Sequence, residues 1–537
     1  MALGLVLGPA LAYAEPGGVP ALPPAFDPGL INESMRHQFE PDRIEPRRRD
    51  DPVTVEALPP PAPAAPGTIR FALKSVRFDA SHYFAGDALQ ALAQPLVGRD
   101  VGIDDLQKLV DRINAMYTQR GLATARAVLP PQSIDDGTVT IRLIEGQIGT
   151  IALTGGSKRA QAHAQRAVGV GTGDLADPHD LEKRLRLYNR ENDGRISAAL
   201  SPGHALGKTD LVLRLVEPAR LGVEVFADNN GFQSTGTWEE GAVIRAFRLL
   251  GSADRASLVV VHSGGVRSAS GTWSTPVFNR LRLSLTASHG DTTIAQGGAH
   301  PLDIRGRSNT LGADVAVMLI NGPAFAVHLD AALTQTQSDT VISGVKVVGN
   351  DVTSGGLALL FDGNTARLTA AGRIEATASH VAERVSGVNF DPVVVRGDIQ
   401  ISRTLDHHGT VLRFHGDGQW TGFKGLPGLL QYQIGGARSA RALDPGTTAG
   451  DRGFTAAFEA ARGFTVGKTP LELAAFVDHS AAWVSGQPAQ TATDIGAGFT
   501  AGIWGRFTVR GQYAHAIDYR GPNGLSQRGT ISVSARF

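Results

Sequence analysis

Arg280-Leu281-Arg282-Leu283-Ser284-Leu285-Thr286-Ala287 decides how the rest of the chain is read. Successive side chains of a strand point to opposite faces, so Leu281, Leu283, Leu285 and Ala287 form one face and Arg280, Arg282, Ser284 and Thr286 the other. The same alternation sets Phe325, Val327, Leu329 and Ala331 against Ala326, His328 and Asp330. Charges at every second position are costly in a dry core and natural against a water-filled lumen. A soluble sandwich would turn that face to bulk solvent, so the alternation favours a membrane barrel without proving it. At the end of the chain, Ile531, Val533, Ala535 and Phe537 alternate with Thr530, Ser532, Ser534 and Arg536. The 317 residues from Leu221 to Phe537, at about 20 per strand and connection, predict an antiparallel barrel of about 16 strands.

Composition narrows the remaining classes. A chain of 537 residues implies two or more domains. Lys and Arg balance Asp and Glu at 51 each, so there is no global basic field to hold nucleic acid. Cysteine is absent, which excludes disulfides, thiolate metal sites and thiol nucleophiles. Glycine at 65 residues suits many turns and thin strands. No apolar run reaches the roughly 18 residues of a spanning helix, so any membrane passage is by barrel.

Between Ile69 and Gln147 the pattern is β-α-α-β-β: a strand at Phe71 to Phe78, helices at Gly86 to Leu96 and Ile103 to Arg120, and strands at Ala123 to Leu129 and Thr138 to Ile144. The longer helix carries Leu106, Val110, Ile113 and Tyr117 at helical spacing. Tyr117-x-x-Arg120-Gly121, Leu129-Pro130-Pro131-Gln132, Asp136-Gly137 and Glu145-Gly146 resemble the first polypeptide-transport-associated (POTRA) domain of two-partner secretion transporters, the family of haemolysin secretion/activation proteins. A shorter second copy runs from Ile148 to about Pro218. Both modules are expected to leave a sheet edge to which an unfolded client adds a strand.

Met1 to Ala14 ends in an A-x-A pattern and reads as the back of a secretory signal peptide whose basic start is missing. From Glu15 to Gly67 proline is frequent, and Leu30 to Glu40 allows about three helical turns with little apolar face. The family resemblance implies that this helix plugs the barrel lumen. At about 3.1 Å per residue, the stretch from Asp42 to Gly67 reaches roughly 80 Å, more than the bilayer thickness. The expected order is leader 1–14, plug helix and linker 15–67, POTRA modules 68–147 and 148–218, and barrel 219–537.

Within the barrel region, Gln431 to Gly453 forms a long polar excursion between strand-like runs. Gly435-Gly436-Ala437-Arg438-Ser439-Ala440-Arg441 resembles the Gly-Gly-x-x-Ser-Val-Arg-Gly-aromatic loop of the family, departing at Ala440, Ala442 and Leu443. The resemblance implies that the loop folds into the pore and that Arg441 pairs with an acid on the wall. The wall motif Phe-x-Asp-x-Gly is matched by Phe476-Val477-Asp478-His479-Ser480, with Ser for Gly, and Glu459 stands where the family has a lumen-facing Glu. A guanidinium suits this task because it stays charged and grips carboxylate in a fork. The closing Phe537 resembles the outer-membrane signature read by the barrel assembly machinery.

No catalytic or cofactor constellation emerges. His407 and His408 would face opposite sides of a strand, against a shared metal, and the Gly169-Val170-Gly171 run lacks a strand-then-helix context for phosphate. The reading is an outer-membrane pore of a Gram-negative bacterium, its POTRA modules in the periplasm. It exports an unfolded, large β-helical exoprotein without an enzymatic step or cofactor, and touches outer-membrane lipid and, during biogenesis, the barrel assembly machinery. The alternatives are a barrel-assembly factor and a passive porin-like channel.

Overall fold

The structure is a computed structural model that describes residues 24–39, 53–55, 70–134, 136–406, 409–484, 486–521 and 527–537. The expected leader at 1–14, most of the linker and His407-His408 lie outside these residues. The chain forms two compact units: residues 50–218, and the residues from 219 onward together with the N-terminal helix.

In the first module of unit 50–218, Thr138–Glu145 is the central strand, parallel to Ser75–Phe78 and antiparallel to Ala125–Val128. Helix Ile103–Gln119 buries Leu106, Leu109, Val110, Ile113 and Tyr117 against Val76, Ala127, Val139 and Ile141. The helix stops because Gly121 takes φ +69° and lets two amides turn back: Gly121 N–H donates to Thr118 O at 2.9 Å and Leu122 N–H to Tyr117 O at 3.0 Å. A Cβ at Gly121 would lie 2.8 Å from His179 Nε2 of the second module, so this glycine also permits close approach. After Pro130 and Pro131, which have no amide donor, Gln132 pairs like an added strand residue: its Nε2 donates to Thr140 O at 2.8 Å and its Oε1 accepts from Thr140 N at 2.7 Å.

The second module orders its strands Val53–Val55, Arg195–Pro202, Lys208–Val216 and Gln147–Thr154. The first of these lies in the stretch 15–67 expected to hold the plug helix and linker: Val53–Val55 pairs in parallel with Ala198 to Leu200 and occupies that sheet edge. Its β-branched valines alternate with Thr54, and they pack on the module's core. The edges at Ser75–Phe78, Ala125–Val128 and Gln147–Thr154 end their sheets.

From Leu221 to Arg536 sixteen long antiparallel strands close into a barrel, with a two-residue strand, Asn389–Phe390, added beside Leu368–Glu383. Leu285, Leu311, Leu333, Leu357, Ile374 and Phe458 stand exposed on the outside. Ser284, Asp314 and Asp330 are buried on the inside. The ring closes where Leu221–Asp228 pairs antiparallel with Gln527–Arg536, and Val223 and Phe537 exchange backbone hydrogen bonds at 3.2 and 2.8 Å. Phe537 is 67 % exposed.

Helix Pro28–Phe39 packs against the inner wall and against the long loop after Thr421. Asp27 caps it, accepting from Gly29 N at 2.8 Å and Leu30 N at 3.3 Å. The expectation of a helix too polar to pack is corrected. Leu30, Ile31 and Met35 are buried with Phe232, Val259, Val261, Val266, Ile294 and Ile304, because the wall turns apolar side chains inward at this level. Wall glycines make room for the helix: a Cβ at Gly306 would lie 2.0 Å from Pro28 Cβ, and one at Gly290 2.5 Å from Asn32 Oδ1.

One carboxylate organises the first module. Glu145, its side chain 5 % exposed, accepts from Ser81 Oγ at 2.5 Å, His82 N at 2.8 Å and Tyr117 Oη at 2.9 Å, with His82 Nδ1 at 2.9 Å. Burial alone would raise its pKa; the bonds from Ser81, His82 and Tyr117 outweigh burial and hold it below the usual value. A folded-state carboxyl depressed in this way stabilises the module above the unfolded pKa of about 4.3, and the contribution is lost as pH falls through the folded value. Glu145→Gln is expected to cost about 1–3 kcal/mol at neutral pH and to flatten the acid limb of stability. Thermal melts of the separately expressed unit between pH 7 and pH 3 check both.

Candidate functional site: the lumen loop and its wall

Residues 422–451 leave strand Thr410–Thr421 and return at Arg452–Val466. Rather than extending away, the loop folds into the barrel as a short hairpin, Tyr432–Ile434 with Thr448–Gly450, closed by a tip at 435–447. The Gly pair is required by geometry. Gly435 and Gly436 have φ +106° and +101°, and a Cβ on Gly435 would stand 2.1 Å from Asp444 O. Gly435 N–H then donates to Ser439 O at 3.1 Å and Gly436 N–H to Leu443 O at 2.9 Å. Ser439 Oγ shares hydrogen bonds with Thr455 Oγ1 at 2.8 Å and Ser480 Oγ at 3.4 Å.

This folding aims Arg441 at the wall. Its Nε and Nη2 donate to Asp478 Oδ2 and Oδ1, both at 2.7 Å, and Nη1 donates to Glu459 Oε2 at 3.2 Å. The Cζ lies 3.3 Å from the Phe476 ring centroid, so the guanidinium plane is also stacked. Arg441 is 12 % and Asp478 2 % exposed in their side chains. The three departures from the family's loop pattern are buried: Ala442 packs with Phe476, Ala514 and Ala516, and Ala440 and Leu443 pack with Ile434, Ala482 and Ala492. Leu443 therefore supplies an apolar contact where the pattern has an aromatic ring.

Three further parts escaped the sequence reading. Arg413 grips Glu472 in a fork, Nη1 to Oε1 at 2.8 Å and Nη2 to Oε2 at 2.7 Å, and also donates to Glu459 Oε1 at 2.8 Å. Arg441, Glu459, Arg413 and Glu472 thus form a continuous chain of ion pairs along the wall. Asp494 accepts from Ala442 N at 2.8 Å, and Tyr432 Oη donates to Asp417 Oδ2 at 2.5 Å. Register holds the missing signal: Arg413 faces Glu459 and Asp478 faces Asp494 on neighbouring strands, which becomes visible only once the pairing is fixed. Among the described residues no cluster of three or more His, Asp or Glu converges on a metal position.

A closed sixteen-strand barrel, apolar outside and ionic inside, preceded by two β-α-α-β-β modules, defines the class of outer-membrane β-barrel proteins carrying POTRA domains. A family model for the ShlB-type POTRA domain matches residues 71–146, and the model for the haemolysin secretion/activation protein ShlB/FhaC/HecB matches residues 207–505. The chain belongs to this ShlB/FhaC/HecB family. It is 28 % identical over 244 residues to the heme/hemopexin transporter protein HuxB of Haemophilus influenzae, a match covering 44 % of this chain and 43 % of that protein. The match thus spans less than half the length of that relative. Among solved structures, CdiB from Escherichia coli superposes with TM-score 0.67 at 18 % identity, over 89 % of this chain and 93 % of that one. CdiB from Acinetobacter baumannii gives 0.64 at 16 %, over 94 % and 97 %. At these identities the likeness is one of fold.

Removing one partner of the Arg441–Asp478 pair leaves a buried charge alone, at a cost of about 3–5 kcal/mol to the docked loop. Arg441→Asp and Asp478→Arg are each expected to free the loop, and the double exchange to restore docking in part. Protease cleavage within residues 435–447 of the detergent-purified protein measures the effect.

Proposed function

We propose that this protein exports an unfolded exoprotein through its own lumen after capturing it with the two POTRA modules. The observation that carries the reading is that the lumen holds both a helix and a long loop, each attached by non-covalent contacts that can be undone. Leu30, Ile31 and Met35 hold the helix, and Asp478 and Glu459 hold the loop. A passive channel needs neither element. The module edges at Ser75–Phe78, Ala125–Val128 and Gln147–Thr154 can accept an extended client strand, with main-chain hydrogen bonds supplying affinity across sequences. A client arriving at Arg195–Pro202 first has to displace Val53–Val55.

In this reading Arg441, Asp478 and Glu459, with the loop residues Gly435, Gly436 and Ser439, set the resting position of the gate. Tyr117, Gly121, Pro130, Pro131 and Gln132 shape the receiving module, and Phe537 marks the barrel for insertion into outer-membrane lipid by the assembly machinery. The client is a large secreted β-helical protein whose folding outside the cell draws it through, so that no nucleotide, cofactor or enzymatic step is required.

Two measurements test the proposal. Deleting residues 24–39 should raise single-channel conductance in planar bilayers severalfold over the intact protein. The intact protein in liposomes should move its purified partner across without an energy source; an absolute need for ATP would reject the mechanism.

A further inference from the structure

We infer that Arg528 is a second anchor for the lumen loop, and that through it the loop clasps the seam at which the barrel closes. Three residues within the stretch 441–444 step across the wall toward that seam. Arg441 binds Asp478 and Glu459, Ala442 N–H donates to Asp494 on strand Gln490–Ile503, and Asp444 Oδ1 lies 3.4 Å from Arg528 Nε on the last strand. The polarity is reversed at the second anchor, where the wall supplies the arginine and the loop the acid.

Arg528 is only 9 % exposed, and its Nη2 donates to Asn229 O at 3.2 Å. Asn229 directly follows the first strand, Leu221–Asp228, so one guanidinium joins the loop, the last strand and the end of the first. The buried acids Asp228 and Glu239, register partners in the first hairpin, add negative charge around it. An apolar contact meets the same place from the other side: Phe232 packs so closely on Gly446 of the loop that a Cβ there would fall 2.6 Å from its ring.

The seam is where such a clasp has most effect. Its ladder pairs Glu224 to Asp228 with Ser532 to Arg536, five residues on each strand, extended at one end by the Val223–Phe537 exchange and at the other by Asn229 N–H, which donates to Ile531 O at 3.2 Å, whereas the two flanking hairpins pair eight and nine. With the loop docked, Asp444 and Gly446 brace both strands of the seam at the end where the first hairpin turns. When the loop leaves, Arg528 loses its carboxylate and Phe232 its seat, and the seam is left with its own ladder and the bonds that Asn229 makes to the last strand. Release of the gate is thereby coupled to loosening of the barrel wall.

The inference rests on reading the loop as a movable gate, but its test does not need secretion. Hydrogen exchange is followed in the intact purified protein for peptides covering 221–229 and 527–537, for the loop, and for the remote hairpin Phe325–Ile342 with Val345–Asn364. Asp444→Asn and, independently, Arg441→Gln should each speed exchange at the seam about five- to tenfold, as loss of an ion pair in the first and of charge-assisted hydrogen bonds in the second allows. The remote hairpin should be unchanged. Seam amides exchanging at the wild-type rate in Asp444→Asn, whether or not the loop loosens, would overturn the coupling. An equal rise in the remote hairpin would overturn it too, since it would report general destabilisation.

Discussion

Everything in the barrel depends on its last strand finding its first. Within a bilayer an unpaired backbone N–H or C=O has no water to turn to, so a sheet spanning it must close on itself. The pairing of Leu221–Asp228 with Gln527–Arg536 performs that closure, extended by the exchange between Val223 and Phe537. Once closed, the alternation of each strand has only two destinations, lipid and lumen. The arginines and carboxylates of every second position are thereby delivered to a common wet interior.

That delivery explains why the loop site is ionic. Glu459, Asp478 and Asp494 face inward from three neighbouring strands, and a guanidinium reaching them from the loop bridges the first two while its neighbour's amide meets the third. The helix uses the other available chemistry. It docks where Val259, Val261 and Ile304 interrupt the polar lining, and Gln433 Nε2 of the loop donates to Leu30 O at 3.0 Å. Ala449 of the loop belongs to the same apolar cluster as Leu30, so helix and loop share a surface.

The sequence was legible wherever a local rule was sufficient. Period-two alternation predicted the barrel and helical spacing predicted the buried face of Ile103–Gln119, while the resemblance of Gly-Gly-x-x-Ser-x-Arg to the family's loop pattern singled out the loop. It was illegible where function depends on register or on a partner surface. Arg413, Glu472 and Asp494 look like ordinary lumen charges until strand pairing sets them beside Glu459 and Asp478. Val53–Val55 is three residues in a proline-rich stretch and becomes a strand only because an edge in the second module receives it. Leu30, Ile31 and Met35 form too narrow a stripe for a protein core, yet suffice against a wall whose glycines let the helix come close.

An ionic grip also has the right strength for the gate proposed above. Transferring a guanidinium and a carboxylate from water into an apolar interior costs much of what their attraction returns, so such pairs specify a geometry more than they stabilise it. The lumen softens that cost on release, because freed charges pass into water instead of remaining stranded. Arg441 adds the fork to Asp478, the shared acceptor Glu459 and the stacked Phe476 ring, and all of these are lost together once the plane of the guanidinium turns away. A purely apolar plug of equal area would loosen gradually and could reseat in many orientations. A planar cation bound by directional contacts has one seated position, which is what the proposed export pore would need in order to reseal after each passage.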